Sequence, residues 1–216
     1  MIMTDQDHDG SHIKGLLINM FHTLWPSLLK LNYITCMLTP IIKVSKNKKS
    51  ISFYNIFDYT QWKDNTSDYK KYNCKYYKGL GTSTANEAIE YFSKMKSVKY
   101  TWNDTCDNNI NLAFKKDLSD NRKQWLYEYN PSSILDHNDS DVSIDKFINN
   151  ELIHFSNANT SRTIGSVVDG LKPSQRKILY CCFKRNLYKE IKVAQLSGYV
   201  SEHGSYHHGE ASLQST

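Results

Sequence analysis

No stretch of 18 apolar residues occurs anywhere in the 216 residues, which argues against a membrane-spanning helix. No basic-then-apolar leader precedes the first motif, so a secretory signal is not expected. The five cysteines are an odd number and none sits in a C-x-x-C pair. They read as reduced, intracellular thiols rather than as a disulfide framework. Internal repeats are absent. No glutamate precedes Asp5. Charge of one sign does not dominate either: the net charge is only +5. With 39% hydrophobic residues the chain can pack one large domain or two small ones.

What is present is concentrated near the start, in Thr4-Asp5-Gln6-Asp7-His8-Asp9-Gly10-Ser11-His12. If the segment is extended, Asp5, Asp7 and Asp9 share one face and converge at a strand's end. Such a cluster repels itself unless a cation neutralises it, and hard carboxylate oxygens suit Mg²⁺. One alternative is an EF-hand loop, but its twelfth position would be Leu16 instead of glutamate. Another is a solvated acidic turn. The positive charge gathers elsewhere. Between residues 162 and 192 eight Lys and Arg face two acids, a distribution suited to a polyanion.

Residues 1–4 read as the tail of a buried strand. Apolar residues Ile13, Leu16, Leu17, Met20, Phe21, Leu24 and Leu28 follow helical spacing and predict a helix over 11–30 packing that face on a sheet, with a kink or restart at Pro26. Residues 34–44 and 51–54 read as strands around the turn at 46–49, and 74–77 as a short strand. This last runs into Lys78-Gly79-Leu80-Gly81 and then a helix with a capping box, Thr84 to Glu87. Strand, glycine loop and helix start is a phosphate-approach geometry, although a tight turn alone would also need the glycines. Residues 100–121 read as polar and irregular, 122–129 as helical, and 130–143 as a linker. Beyond it, 147–155, 173–185, 192–200 and a stretch opening at Gly209 read as short helices of a helix-turn-helix type.

Four segments together resemble the type IIA DNA topoisomerases, in their eukaryotic branch. Met3 to Leu16 is similar to the acidic Toprim motif, and Lys75 to Ser83 to a second signature. Asp169-Gly170-Leu171-Lys172-Pro173-Ser174-Gln175-Arg176-Lys177 and Tyr206-His207-His208-Gly209-Glu210 match a third and fourth, in the family's order. The resemblance implies an α/β Toprim part, a parallel sheet with flanking helices, followed by a mostly helical, partial winged-helix domain. Its boundaries would be 1–129 for Toprim, 130–143 for the linker and 144–216 for the winged-helix part. It implies that Asp5 and Asp7 coordinate Mg²⁺, or Mn²⁺ or Ca²⁺ in its place, with Asp9 a nearby or water-mediated partner. Lys78, Arg122, Lys123, Arg162, Lys172, Arg176, Tyr206 and His208 would contact double-stranded DNA. His8 would be exposed. Gly165 stands where the family carries proline, which would loosen the turn beside Arg162.

The resemblance also implies parts that these residues do not include: a metal-binding glutamate on an earlier strand, an ATPase domain, a dimer gate, and the nucleophilic tyrosine that follows an arginine. None of the 15 tyrosines is preceded by arginine. No catalytic residue is therefore assigned, and the chain is expected to be an inactive internal fragment of a longer, homodimeric, ATP-dependent enzyme. Its expected location is the nucleus, or an organelle or cytoplasmic viral factory. A Toprim nuclease would share Asp5 and Asp7 but lack the later motifs. A gyrase-type enzyme would carry the two parts on separate chains.

Overall fold

The computed structural model describes residues 1–47, 49–77, 83–93, 95–136, 140–206 and 208–216. Contacts divide the chain into two units, Met1–Asn157 and Ala158–Thr216.

The first unit opens with helix α1 (His8–Leu24), capped by Asp7, whose carboxylate accepts from the Gly10 N–H at 2.8 Å. Pro26 ends this helix and starts α2 (Pro26–Lys30), where a missing N–H costs nothing. Strands β1 (Thr35–Met37), β2 (Ile42–Lys46) and β3 (Lys49–Phe53) follow, then α3 (Ile56–Asn65) and β4 (Asn73–Tyr76). After α4 (Ala85–Ser93) come β5 (Ser97–Thr101), α5 (Cys106–Phe114), α6 (Ser119–Tyr127) and β6 (Asp141–Ser143). Helix α7 (Ile144–Phe147) passes through a π turn, Ile148–Leu152, into α8 (Ile153–Thr163).

Two sheets form. One has the order β1-β5-β6, antiparallel between β1 and β5 and parallel between β5 and β6. Ile2 adds a single parallel bridge to Cys36, so the expected strand at 1–4 is reduced to that contact. The other sheet, β3-β2-β4, is antiparallel throughout. The single strand expected over 34–44 is thus two strands in different sheets. The main core gathers Ile18, Cys36, Val98, Tyr100, Ile110, Val142, Phe147 and Leu152, and a smaller one packs Val44 and Phe53 under Trp62 and Tyr72.

Three expectations need correction. The face of α1 that is buried is Gly10, Ser11, Lys14, Gly15 and Ile18, while Ile13, Leu16, Met20 and Leu24 lie exposed. Small residues win that face because the helix approaches its neighbours closely: a Cβ on Gly15 would stand 3.0 Å from Phe114 and 3.1 Å from Leu152. Residues 100–121 are not irregular. Cys106, Ile110 and Phe114 make a sparse i, i+4 stripe on α5, hidden in sequence by the Asn and Asp around it. The segment expected as a linker supplies β6, whose one apolar residue, Val142, is buried against the main core.

The second unit holds the end of α8, then α9 (Pro173–Lys184), α10 (Val193–His203) and α11 (Glu210–Gln214) around Cys181, Val200 and Leu213. Short helices broken at Gly170, Asn186 and Ser205, all at positive φ, give the helical module that the sequence pattern predicts. No described helix is long and apolar enough to cross a membrane.

Candidate metal site and nucleic-acid interface

The acidic residues sit where coil turns into helix. Asp5 precedes the turn, Asp7 is the extended N-cap of α1, and Asp9 belongs to its first turn. The alternation therefore stops at Asp7, and the single carboxylate face expected for Asp5, Asp7 and Asp9 does not form; Asp9 instead favours the positive end of the helix dipole. Among the described residues no three His, Cys, Asp or Glu side chains converge as a metal cluster. What remains is compatible with Mg²⁺, which commonly takes one or two carboxylates and fills its shell with water and phosphate oxygens. The donors are all oxygen. The Thr4 hydroxyl beside Asp5 is buried with no hydrogen-bond partner among the described residues. His8 is exposed, its ring stacked 6.4 Å from that of His154. A cleft of about 520 Å³ opens beside Asp7 and His8, walled by Glu151 and His154 on one side and Tyr54 and Phe57 on another.

Gly10 fixes how close the helix comes to Asp5. A Cβ there would stand 1.9 Å from the Asp5 carbonyl oxygen, so only glycine fits. Below the same turn, Lys14 is almost fully buried and its ammonium lies 2.5 Å from Glu151 Oε1, which also accepts from Ser11 Oγ at 2.7 Å. Burial opposes the charge on Lys14, but the attraction of Glu151 outweighs it and the pKa is raised. Sequence reasoning missed Gly10, Ser11, Lys14 and Glu151. Only Gly10 carried a local signal; the ion pair joins residues 137 positions apart.

The Thr84–Glu87 capping box forms: Glu87 accepts from the Thr84 N–H at 2.8 Å and the Glu87 N–H reaches Thr84 Oγ1 at 3.3 Å. Glu87 also accepts from Lys75 at 2.7 Å and from the Tyr77 hydroxyl at 2.5 Å. Burial would raise its carboxyl pKa, but these donors hold it at about 2, and burial and Glu87 push the Tyr77 hydroxyl far up. Lys78 lies outside the described residues.

The expected DNA contacts divide by unit. In the first, Arg122 donates to the carbonyls of Leu112 and Lys115 at 3.1 and 2.5 Å, which closes the C-terminal end of α5. Lys123 is exposed and paired with Asp120. In the second, Arg162 lies in the last turn of α8 and reaches Asn159 Oδ1 at 3.3 Å. Lys172 is the exposed N-cap of α9; the side chain of Gln175 caps its N–H at 2.9 Å, and a lysine has no acceptor to return the bond. Arg176 is held by both Asp169 oxygens at 2.7 Å. Tyr206 bonds Ser212 and packs edge-on to His208 at 5.5 Å. Lys177 donates to the Ser205 carbonyl at 2.6 Å, so it anchors the Tyr206 turn, a role its sequence position did not suggest. The turn at Gly165 is tight and not loosened: a Cβ there would meet the Gly170 carbonyl at 2.3 Å.

An acid-bearing α/β unit followed by a cation-bearing helical unit is the class that these two halves define. The comparisons are more specific. Residues 37–160 match the model of the C-terminal associated domain of TOPRIM, and the chain belongs to that family. Residues 162–216 match the model of the A-type subunit of DNA gyrase/topoisomerase IV. The whole chain is 53% identical to the mitochondrial DNA topoisomerase 2 of Dictyostelium discoideum and 52% identical to mouse DNA topoisomerase 2-alpha. It covers 17% and 15% of those two proteins. A crystal structure of the Plasmodium falciparum topoisomerase II DNA-binding, cleavage and re-ligation domain superposes with a TM-score of 0.85 at 51% identity, over 99% of this chain and 30% of that one.

Proposed function

We propose that this chain is part of an ATP-dependent type II DNA topoisomerase, contributing one side of its metal site and part of its DNA-binding surface. The observation that carries the reading is the pairing, in one chain, of Asp5 and Asp7 at the start of α1 with Arg162, Lys172, Arg176, Tyr206 and His208 in the helical unit. The 50–53% identity to eukaryotic DNA topoisomerase 2 over the whole chain supports it. In this reading the first unit, Met1–Asn157, completes a Toprim part, and the second, Ala158–Thr216, begins a winged-helix domain, with the boundary later than the 130–143 connection that the sequence pattern suggests.

Asp5 and Asp7 would hold Mg²⁺, or Mn²⁺ or Ca²⁺ in its place. When bound, the ion supplies positive charge to the scissile phosphate and the leaving oxygen. The chain's own residues do the rest. Asp7 caps α1 with one carboxylate oxygen and so keeps its orientation. Lys172, at a helix N-terminus, and Arg176 attract backbone phosphates, which position DNA without reading its sequence. Asp169 orients the Arg176 guanidinium. Lys78, Arg122 and Lys123 would contact DNA from the first unit, and the nucleophilic tyrosine, ATPase and dimer contacts come from outside residues 1–216. The homodimeric parent acts on nuclear or organellar DNA.

The test is duplex binding by the 216-residue chain, followed by fluorescence anisotropy at several salt concentrations. Binding without sequence preference and with a steep salt dependence is expected. Lys172→Ala should weaken it equally on unrelated sequences and lower the salt slope by about one. Its melting temperature should hold, because Gln175 and not Lys172 supplies the cap. An affinity indifferent to salt would refute the reading.

A further inference from the structure

We infer that Glu151, acting through Ser11 and Lys14, is a positioning residue that sets the spacing of Asp5 and Asp7; the inference rests on reading those carboxylates as metal ligands. Glu151 lies on the π turn between α7 and α8. A π turn inserts an extra residue and re-aims its neighbours, and such turns recur at functional sites. Here it sends a carboxylate out of a helix whose adjacent residues Phe147, Ile148 and Leu152 are buried in the main core. One oxygen, Oε1, takes both the Ser11 hydroxyl at 2.7 Å and the Lys14 ammonium at 2.5 Å. Ser11 stands one turn after Asp7, and its hydroxyl and N–H lie 3.2 and 3.1 Å from the Asp7 carbonyl.

The chain of contacts is short and rigid. Leu152, next to Glu151, stops the helix at Gly15. Glu151 then fixes the helix's rotation through Ser11 and Lys14. Gly10 lays the first turn directly on the Asp5 carbonyl, so the pose of α1 sets where Asp5 stands relative to Asp7. A merely structural ion pair would need neither the shared oxygen nor a serine one turn from the cap. Glu151 itself need not touch a metal to govern the site; outer partners of ligands are often worth tenfold or more in metal affinity.

The experiment titrates Mn²⁺ into the 216-residue chain and reads affinity from water-proton relaxation, with far-UV circular dichroism and melting as checks on folding. Asp7→Asn, which keeps the helix cap, should abolish binding. Glu151→Gln should weaken it about tenfold. The pair Lys14→Met with Glu151→Leu removes the charges together, a replacement that folded proteins often tolerate. That variant should keep its melting temperature and still lose Mn²⁺ affinity about tenfold. A folded double variant with wild-type affinity overturns the positioning role. If the double variant does not fold, Ser11→Ala decides: it should weaken Mn²⁺ in the same direction, and unchanged affinity overturns the inference. If Asp7→Asn binds Mn²⁺ as the wild type does, the metal reading itself fails, and the inference falls with it for that separate reason.

Discussion

Gly10→Ala sets two opposite expectations against each other. On propensity alone, alanine in a helix is better than glycine by about 0.8–1.0 kcal/mol. The structure puts a new methyl 1.9 Å from the Asp5 carbonyl oxygen and 2.7 Å from its carbon, inside the 3.0 Å below which such contacts essentially never occur. The obstacle is backbone, so no rotamer change relieves it; α1 and Asp5 must separate until the contact reaches at least 3.0 Å. Overpacking of this kind costs about 1–3 kcal/mol and outweighs the propensity gain. Net destabilisation of about 1 kcal/mol is expected, which lowers the melting temperature of a unit this size by about 2–4 °C. Gly198→Ala is the internal control. It lies within α10 with nothing within 4 Å of its would-be Cβ, and should be stabilised by up to about 1 kcal/mol. Urea unfolding followed by tryptophan fluorescence reports the first unit selectively, because Trp25, Trp62, Trp102 and Trp125 all lie in it; circular dichroism follows both. A Gly10→Ala protein as stable as the wild type, or more so, would refute the close-approach argument.

Asp7→Ser should separate the two tasks of that side chain: serine caps α1 nearly as well as aspartate, so melting should change by less than the roughly 1 kcal/mol lost in Asp7→Ala, while Mn²⁺ binding disappears in both. Glu87 makes stability depend on acid. Its folded pKa of about 2 is below the ordinary 4.5, so its contribution is complete above pH 4.5 and is lost as pH falls through about 2. Glu87→Gln should flatten the melting-temperature profile within that window and leave the profile above pH 5 parallel to the wild type; an unaltered acid limb would contradict the assignment.

Local chemistry was legible in the sequence, and contacts between distant segments were not. Pro26 and the Thr84–Glu87 box announced a helix restart and a helix start because their chemistry is local, and the helices of the second unit followed from Pro173 and from apolar spacing. The buried face of α1 was misread because periodicity counts hydrophobic residues, whereas this helix buries glycines, a serine and a lysine. Helix α5 and strand β6 were lost because each buries only one to three residues among Asn, Asp and Ser. The candidate site shows the same division. Asp5 and Asp7 were visible as a pattern. Gly10's role needed a distance, and Glu151's needed a contact between distant parts of the chain. Lys177 and Gly165 changed meaning for similar reasons, once a carbonyl oxygen was found beside each.

The separation of 137 positions between Lys14 and Glu151 also imposes an order in time. A ribosome adds about 5–20 residues per second, so the acidic segment leaves the ribosome roughly 7–30 s before the carboxylate that locks the helix behind it. In that interval Lys14 lacks its Glu151 partner, and only local bonds such as the Asp7 cap on the Gly10 N–H order the first turn. The two aspartates acquire a fixed spacing only when the π turn docks, after β5, α5 and β6 have been made. A polypeptide stopped anywhere before residue 151 thus carries the whole acidic motif without its geometry.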